Sequence, residues 1–337
     1  MKFTKYEGNP ILSAHPGHPW EDLCTLNPAA VHDGERFWLL YRAAGHDVGH
    51  TIRLGLAVSD DGFHFTRCSD EPVLSPDPIG PDAGGCEDPR LVKMDKFYYL
   101  TYASRTFLPG QYWLPDHKYL GFTAEPGPAF LNSNASVTHL AISEDLVHWK
   151  KLGRMTDSRV DNRDAILFPE KIAGRYWMIS RPMDWFGPGY GCSMPSMWVS
   201  ASDDLVEWRD YRLLATGTQG WESKKIGGSA PPLRTDRGWL FLYHGVDERD
   251  DAYRVGALLL DLHNPTKILA RTKDWLMEPE FDYETQGYYN GCVFPCGNVI
   301  VGDTLYVYYG AADKFCCAAT CSLSALLDHL MSDACAV

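Results

Sequence analysis

Apolar and polar residues alternate along this chain in short runs with the two-residue period of half-buried strands. The clearest runs are "RFWLLYRA" (36–43), "KFYYLTYA" (96–103), "RYWMISRPM" (175–183), "GWLFLYHGV" (238–246) and "TLYVYYGA" (304–311). Each is an aromatic-rich strand that follows a proline, a shorter strand and a turn containing Gly or Asp. The prolines ahead of them, Pro28, Pro89, Pro169, Pro232 and Pro295, are 61, 80, 63 and 63 residues apart. A second repeated string, "SDDGFHF" (59–65), "SEDLVHW" (143–149) and "SDDLVEW" (202–208), follows three alternating strands and predicts a turn into an outer strand. Five units of roughly sixty residues, each a small antiparallel meander, predict an all-β fold, a five-bladed β-propeller. A single blade cannot bury both of its faces, so the blades pack around a central channel as one domain spanning 1–337. The long second interval reflects an insertion at 105–136, rich in Pro, Gly, Tyr and Trp, expected as an ordered loop over the binding face rather than a surface elaboration. Only "SLSALLDHLM" changes period. Leu323, Leu326, Leu327 and Leu330 fall at helical spacing and predict an amphipathic helix over about 322–331, packed on the propeller or on a second subunit.

Composition narrows the partners. A formal net charge of -13 argues against nucleic acid or an anionic membrane surface. The start "MKFTKYEGNPIL" lacks the apolar core of an export signal, and no apolar run is long enough for a membrane helix. The 10 cysteines then read as reduced thiols of a cytoplasmic protein. Cys292, Cys296, Cys316, Cys317 and Cys321 are too unevenly spaced for a convincing zinc site and are expected as buried thiols.

A propeller brings the beginnings of its innermost strands, and the ends of the next ones, to one mouth of the channel. The first set comprises Asn27, Glu87 with Asp88, Arg163 with Asp164, and Lys224 with Lys225; the second comprises Arg42, Arg181, His244 and Asp313. This funnel mixes acids with bases. Arg163, Arg181 and Lys225, helped by Tyr243 or His244, suit a tetrahedral dianion, because guanidinium forks match phosphate oxygens and an ammonium adds a compact charge. Taken singly, each pairs as readily with Asp161, Asp164, Asp184 or Glu222. Glycoside cleavage needs a proton donor on the leaving oxygen, and an inverting hydrolase also needs a carboxylate base for water. Phosphate is already an anionic nucleophile, so one acid facing a basic pocket fits phosphorolysis. Asp88 and Arg90 are two apart and would share a face of a regular strand, which would lower the Asp88 pKa unless Pro89 breaks the regularity. Tyr102, Phe107, Tyr112, Trp113, Tyr119, Trp185, Tyr190 and Tyr288 are aromatic candidates for stacking on sugar, though packing between blades uses aromatics too.

The strings "LNPAAVHDGERFWLLYRA", "GCEDPRLV", "NRDAILFPEKIAGRYWMISRP", "KKIGGSAPPL", "LYHGV" and "YYGAAD" resemble, in order, the motifs of glycoside hydrolase family 130, the β-mannoside phosphorylases and related β-mannosidases. The resemblance implies inverting phosphorolysis of a β-mannoside, a mannobiose, mannooligosaccharide or mannosyl-glucose, to α-mannose 1-phosphate. It implies Asp88 as general acid, acting partly through a hydroxyl of the bound mannose. Arg163, Arg181 and Lys225, with Tyr243 or His244, become phosphate ligands; Asn27, Arg42 and Asp313 become mannose contacts. Inorganic phosphate is then a co-substrate, no cofactor or metal is needed, and a homo-oligomer stays open. The rival readings are an inverting β-mannosidase using water and a mannoside-binding propeller without catalysis.

Overall fold

The computed structural model describes residues 1–105, 107–108, 135–218 and 220–332. Tyr112, Trp113, Tyr119 and most of the insertion lie outside the described residues. The chain is a five-bladed β-propeller. Blade one is β2 (Cys24–His32), β3 (Phe37–Ala44), β4 (Arg53–Ser59) and β5 (Thr66–Arg67). Blade two is β6 (Glu87–Met94), β7 (Phe97–Ser104), β8 (Val137–Ser143) and β9 (Lys150–Arg154). Blade three is β10 (Asn162–Leu167), β11 (Tyr176–Pro182), β12 (Met197–Ser202) and β13 (Arg209–Ala215). In blade four, β14 (Lys225–Gly228) and β15 (Leu233–Arg234) both pair with β16 (Trp239–Val246), followed by β17 (Tyr253–Leu260) and β18 (Ile268–Arg271). Blade five is β19 (Val293–Val301), β20 (Thr304–Ala311) and β21 (Phe315–Ser322), and β1 (Thr4–Lys5) supplies its outermost strand. The chain's first strand thus closes its last blade, with Thr4 opposite Thr320 and Lys5 opposite Ala319. That pairing covers an otherwise open edge.

Apolar residues between neighbouring blades form the core. Leu240, Leu242, Val255, Val307 and Tyr309 fill the junction of blades four and five. A short helix, α1 (Asp282–Thr285), precedes β19, and α2 (Leu323–Leu330) ends the described chain. Ser322 caps α2, its Oγ accepting from the Ala325 amide, and Leu326, Leu327 and Leu330 join the core of blades four and five. The helix packs on its own propeller.

The repeated Ser-Asp strings are tight turns between third and fourth strands. In each, a serine accepts from the amides two and three residues on, and an aspartate accepts from the two amides beyond: Ser59 and Asp61, Ser143 and Asp145, Ser202 and Asp204. The prolines are less regular than their spacing. Pro28, Pro89 and Pro295 lie within innermost strands, whereas Pro169 follows β10 and Pro232 falls in the break between β14 and β15. Of these, Pro28 and Pro89 fall at equivalent places inside a register slip, whereas Pro295 pairs with Tyr309 just ahead of one.

Candidate active site

Three innermost strands carry the same irregularity near their start. Their register slips by one residue between Leu26 and Ala29, between Glu87 and Arg90, and between Arg163 and Ile166. The extra residue makes a β-bulge, which bends the strand and re-aims a side chain. Inside the bulges Asn27, Asp88 and Asp164 take φ of 47°, 48° and 53°. Asn and Asp tolerate this left-handed conformation better than other non-glycine residues, at a cost of about 1–3 kcal/mol each.

The bulge answers the question posed by Asp88 and Arg90. Arg90 turns away from the Asp88 carboxylate. It donates through Nη1 to the Asp88 backbone carbonyl (2.8 Å), through Nε to Ser229 O (3.0 Å) and through Nη2 to Asp164 (3.3 Å). The carboxylate's partners come from blade one: Oδ1 accepts from Asn27 Nδ2 at 2.6 Å and from Arg42 Nη1 at 2.8 Å. Oδ2 has no hydrogen-bond partner among the described residues. Burial pushes the Asp88 carboxyl up, but the Arg42 and Arg90 charges and the two hydrogen bonds outweigh it and hold it below the usual range. Glu87 lies beside it, 3.4 Å from Arg42 and accepting from Arg105 Nε at 3.0 Å. Asp313 follows β20 and makes no hydrogen bond or ion pair among the described residues. Its burial, with the Asp88 and Glu87 charges, raises its carboxyl to about 6 against the pull of Arg42 and Lys225.

Blades three and four form the basic side. Arg163 and Arg181 are directly opposite across β10 and β11. Two like charges in that position repel, and carboxylates divide them. Asp161 takes Arg163 Nε and Nη2 (2.8 and 2.9 Å), while Asp164 takes Arg181 Nε (2.7 Å). Lys225 differs, having no carboxylate partner among the described residues. Its ammonium lies 5.0 Å from the centre of the Tyr253 ring. Burial, and then the charges of Arg181 and Arg163, lower its pKa to about 7. His244 Nε2 points to Asp164 at 3.8 Å, and burial keeps the ring neutral.

Tyr243 does not join this group. Successive residues of a strand face opposite ways, and its ring packs between blades three and four against Trp221. Its hydroxyl donates to Glu222 (2.5 Å) and accepts from Arg271 Nε (3.1 Å). The tyrosine beside Lys225 and His244 is Tyr253, at the start of β17. Looking only at first and second strands overlooked it; its place at a strand start was the available signal.

Two glycines give this crowding its room. A side chain on Gly227 would overlap Asp164 and Arg181, and one on Gly310 would overlap the Asn27 amide oxygen. Among the other expectations, Tyr102 is buried with its hydroxyl on Asp82 (2.9 Å). Cys292 and Cys296 line the channel core with Phe294, while Cys316 and Cys317 belong to two different inter-blade cores. No group of His, Cys, Asp or Glu among the described residues is arranged to hold a metal ion.

The model of glycoside hydrolase family 130, described as β-1,4-mannooligosaccharide phosphorylase, matches residues 6–108 and 116–332. The chain belongs to this family. A 1,2-β-oligomannan phosphorylase of Thermoanaerobacter sp. (strain X514) is 36% identical over 321 residues, covering 93% of this chain and 95% of that protein. A β-1,2-mannobiose phosphorylase of the same organism is 38% identical over 325 residues, with 93% and 95% covered. Among solved structures, the β-1,2-mannobiose phosphorylase of Listeria innocua in complex with β-1,2-mannobiose superposes with a TM-score of 0.77 at 26% identity, covering 98% of this chain and 99% of that one.

Proposed function

We infer that the protein is an inverting β-mannoside phosphorylase that uses inorganic phosphate to release α-mannose 1-phosphate. The observation that carries this is Lys225, a buried cation without a carboxylate partner among the described residues, set beside the Arg163–Arg181 pair and across the channel from Asp88. A buried ammonium without a counter-charge is costly, and a phosphate dianion held jointly with the two guanidiniums relieves that cost. Family relatives at 36% and 38% identity that act on β-1,2-linked mannosides favour that linkage here.

The chemistry follows from the two sides. Phosphate on Arg163, Arg181 and Lys225, with His244 and Tyr253 closing the pocket, faces the anomeric carbon from blades three and four. Asp88 faces the leaving oxygen from blades one and two. Attack and departure on opposite faces invert a β-linkage to an α-phosphate. Asn27 and Arg42 fix Asp88 Oδ1, leaving Oδ2 to hand a proton to the leaving oxygen, directly or through a sugar hydroxyl. The overall reaction is proton-neutral, since monohydrogen phosphate brings the proton with which the alcohol departs. A sugar filling the channel strips water from Asp88, and that desolvation favours its protonated form. Asp313 and Arg42 contact the mannosyl unit. No metal or organic cofactor is required, because the nucleophile arrives as an anion. No helix among the described residues is long and apolar enough to cross a membrane, and the free thiols suit a reducing cytoplasm.

Incubating the protein with β-1,2-mannobiose, with and without phosphate, tests this reading. Mannose 1-phosphate of α-configuration, formed only when phosphate is present, is expected. Free mannose released equally in both would overturn it and identify a hydrolase. Running the reaction backwards from α-mannose 1-phosphate with a panel of acceptors reads the linkage.

A further inference from the structure

A cleft at the junction of blades two and three plays no part in the chemistry above. It begins at Asn162, next to Arg163 but at the mouth of a different space, and holds about 320 Å³, within the range of small-molecule sites. Arg154, Thr156, Asp157, Trp185 and Tyr211 line it with Asn162.

Its chemistry is particular. Asn162 is only 3% exposed, and its Oδ1 has no hydrogen-bond partner among the described residues. An unpaired buried carbonyl costs free energy unless a donor arrives. Trp185 is half-buried. It meets Tyr211 edge-on at 5.1 Å, and with Trp208 these rings give the cleft an aromatic wall, while Tyr190 stacks on Trp185 from outside the cleft. Arg154 stands exposed at the rim and offers donors, while the exposed Asp157 is held through both carboxylate oxygens by Arg159. An apolar ligand would leave Asn162 unpaired, and a multivalent anion would meet that carbonyl oxygen at the buried end of the cleft. A pyranose ring answers these features: its C–H face lies on the indole, and its hydroxyls donate to the Asn162 amide oxygen and accept from the Arg154 guanidinium.

The cleft is also linked to the catalytic channel. A smaller cavity of about 200 Å³ is lined by Ser104, Arg105, Arg154 and Ser158. It shares Arg154 with the cleft, and its Arg105 donates to Glu87, the neighbour of Asp88. The smaller cavity, which Pro81, Ala135 and Val137 also line, therefore lies between the Arg105–Glu87 pair and the cleft. We propose that this cleft is a distal carbohydrate subsite, holding the far mannosyl units of a β-mannooligosaccharide whose first unit occupies the channel. It rests on the phosphorylase reading and makes chain length a property of blades two and three.

The test compares β-1,2-mannobiose with β-1,2-mannotetraose, whose additional units are the ones assigned to the cleft. In Trp185→Ala, kcat/KM for the tetraose should fall about tenfold, the effect of losing one aromatic contact, while that for mannobiose stays within about twofold. An unchanged tetraose value, or an equal loss on both substrates, overturns the proposal. Should the wild-type protein release no mannose 1-phosphate from either sugar, the phosphorylase reading itself fails. Calorimetric titration with mannotetraose in the absence of phosphate still judges the cleft. Binding that weakens in Trp185→Ala supports it, and identical binding by both proteins overturns it.

Discussion

The two sides of the channel use the same backbone device for opposite electrostatic ends. On the acid side, formed by blades one and two, the bulges at Asn27 and Asp88 point their side chains at each other, and every cation there has a carboxylate. Arg42 is held by Asp88 and Glu87, and Arg105 by Glu87. On the basic side, formed by blades three and four, the bulge at Asp164 serves Arg181 and Arg90 at once, and Asp161 serves Arg163. Lys225 is left over. The acid side thus has a carboxylate for each of these cations, whereas on the basic side Lys225 makes no ion pair among the described residues and feels Asp164 only at a distance. A neutral sugar suits the first and an anion the second.

Breaking the acid side should have the largest effect. Asp88→Asn keeps the size and the acceptor for Asn27 but removes the proton donor, and kcat should fall about 10²- to 10⁴-fold, with the melting temperature and the KM for phosphate little changed. Near wild-type turnover would remove Asp88 from the acid role. On the basic side, Lys225→Ala removes one charge-assisted contact and should raise the KM for phosphate about 10- to 100-fold. The pH dependence sharpens this. Lys225 titrates at about 7 in the free protein, and only its charged form, present below that pH, attracts phosphate. Counted per phosphate dianion, whose own fraction grows over the same range, affinity should therefore weaken as pH rises through 7. Lys225→Arg, whose charge persists, should flatten that dependence; an unchanged profile would take Lys225 out of the anion site.

The smallest effects separate the sides most cleanly. Gly310→Ala pushes on Asn27 and should lower kcat roughly tenfold or less, leaving the phosphate KM alone. Gly227→Ala pushes on Asp164 and Arg181 and should raise the phosphate KM by a similar factor. Each costs about 1–3 kcal/mol of stability through overpacking, read by thermal melting. Identical kinetic defects in the two variants would show that the sides do not act separately.

Much of this was legible from residue order. Asn27, Arg42, Asp88, Arg163, Arg181, Lys225 and Asp313 sit at strand starts or ends, and a repeated meander brings such positions together. Tyr243 and His244 were ambiguous because adjacent residues differ only in which face they present, and the burial that decides it comes from blade three. Tyr253 escaped notice because its strand is third in its blade. The pairing of β1 with β21 joins residues more than three hundred positions apart, and a two-residue strand carries no periodicity of its own.

By itself the sequence determined the five-fold meander, the turns that repeat within it and the mixture of acids and bases at the channel mouth, because these follow from local alternation and spacing. The tertiary structure decided the rest: which way each bulge aims its side chain, which cation makes no ion pair among the described residues, and where Asp313 and Lys225 titrate. Those properties depend on distances between residues of different blades and on the water that packing excludes, and neither is written in any one segment of the chain.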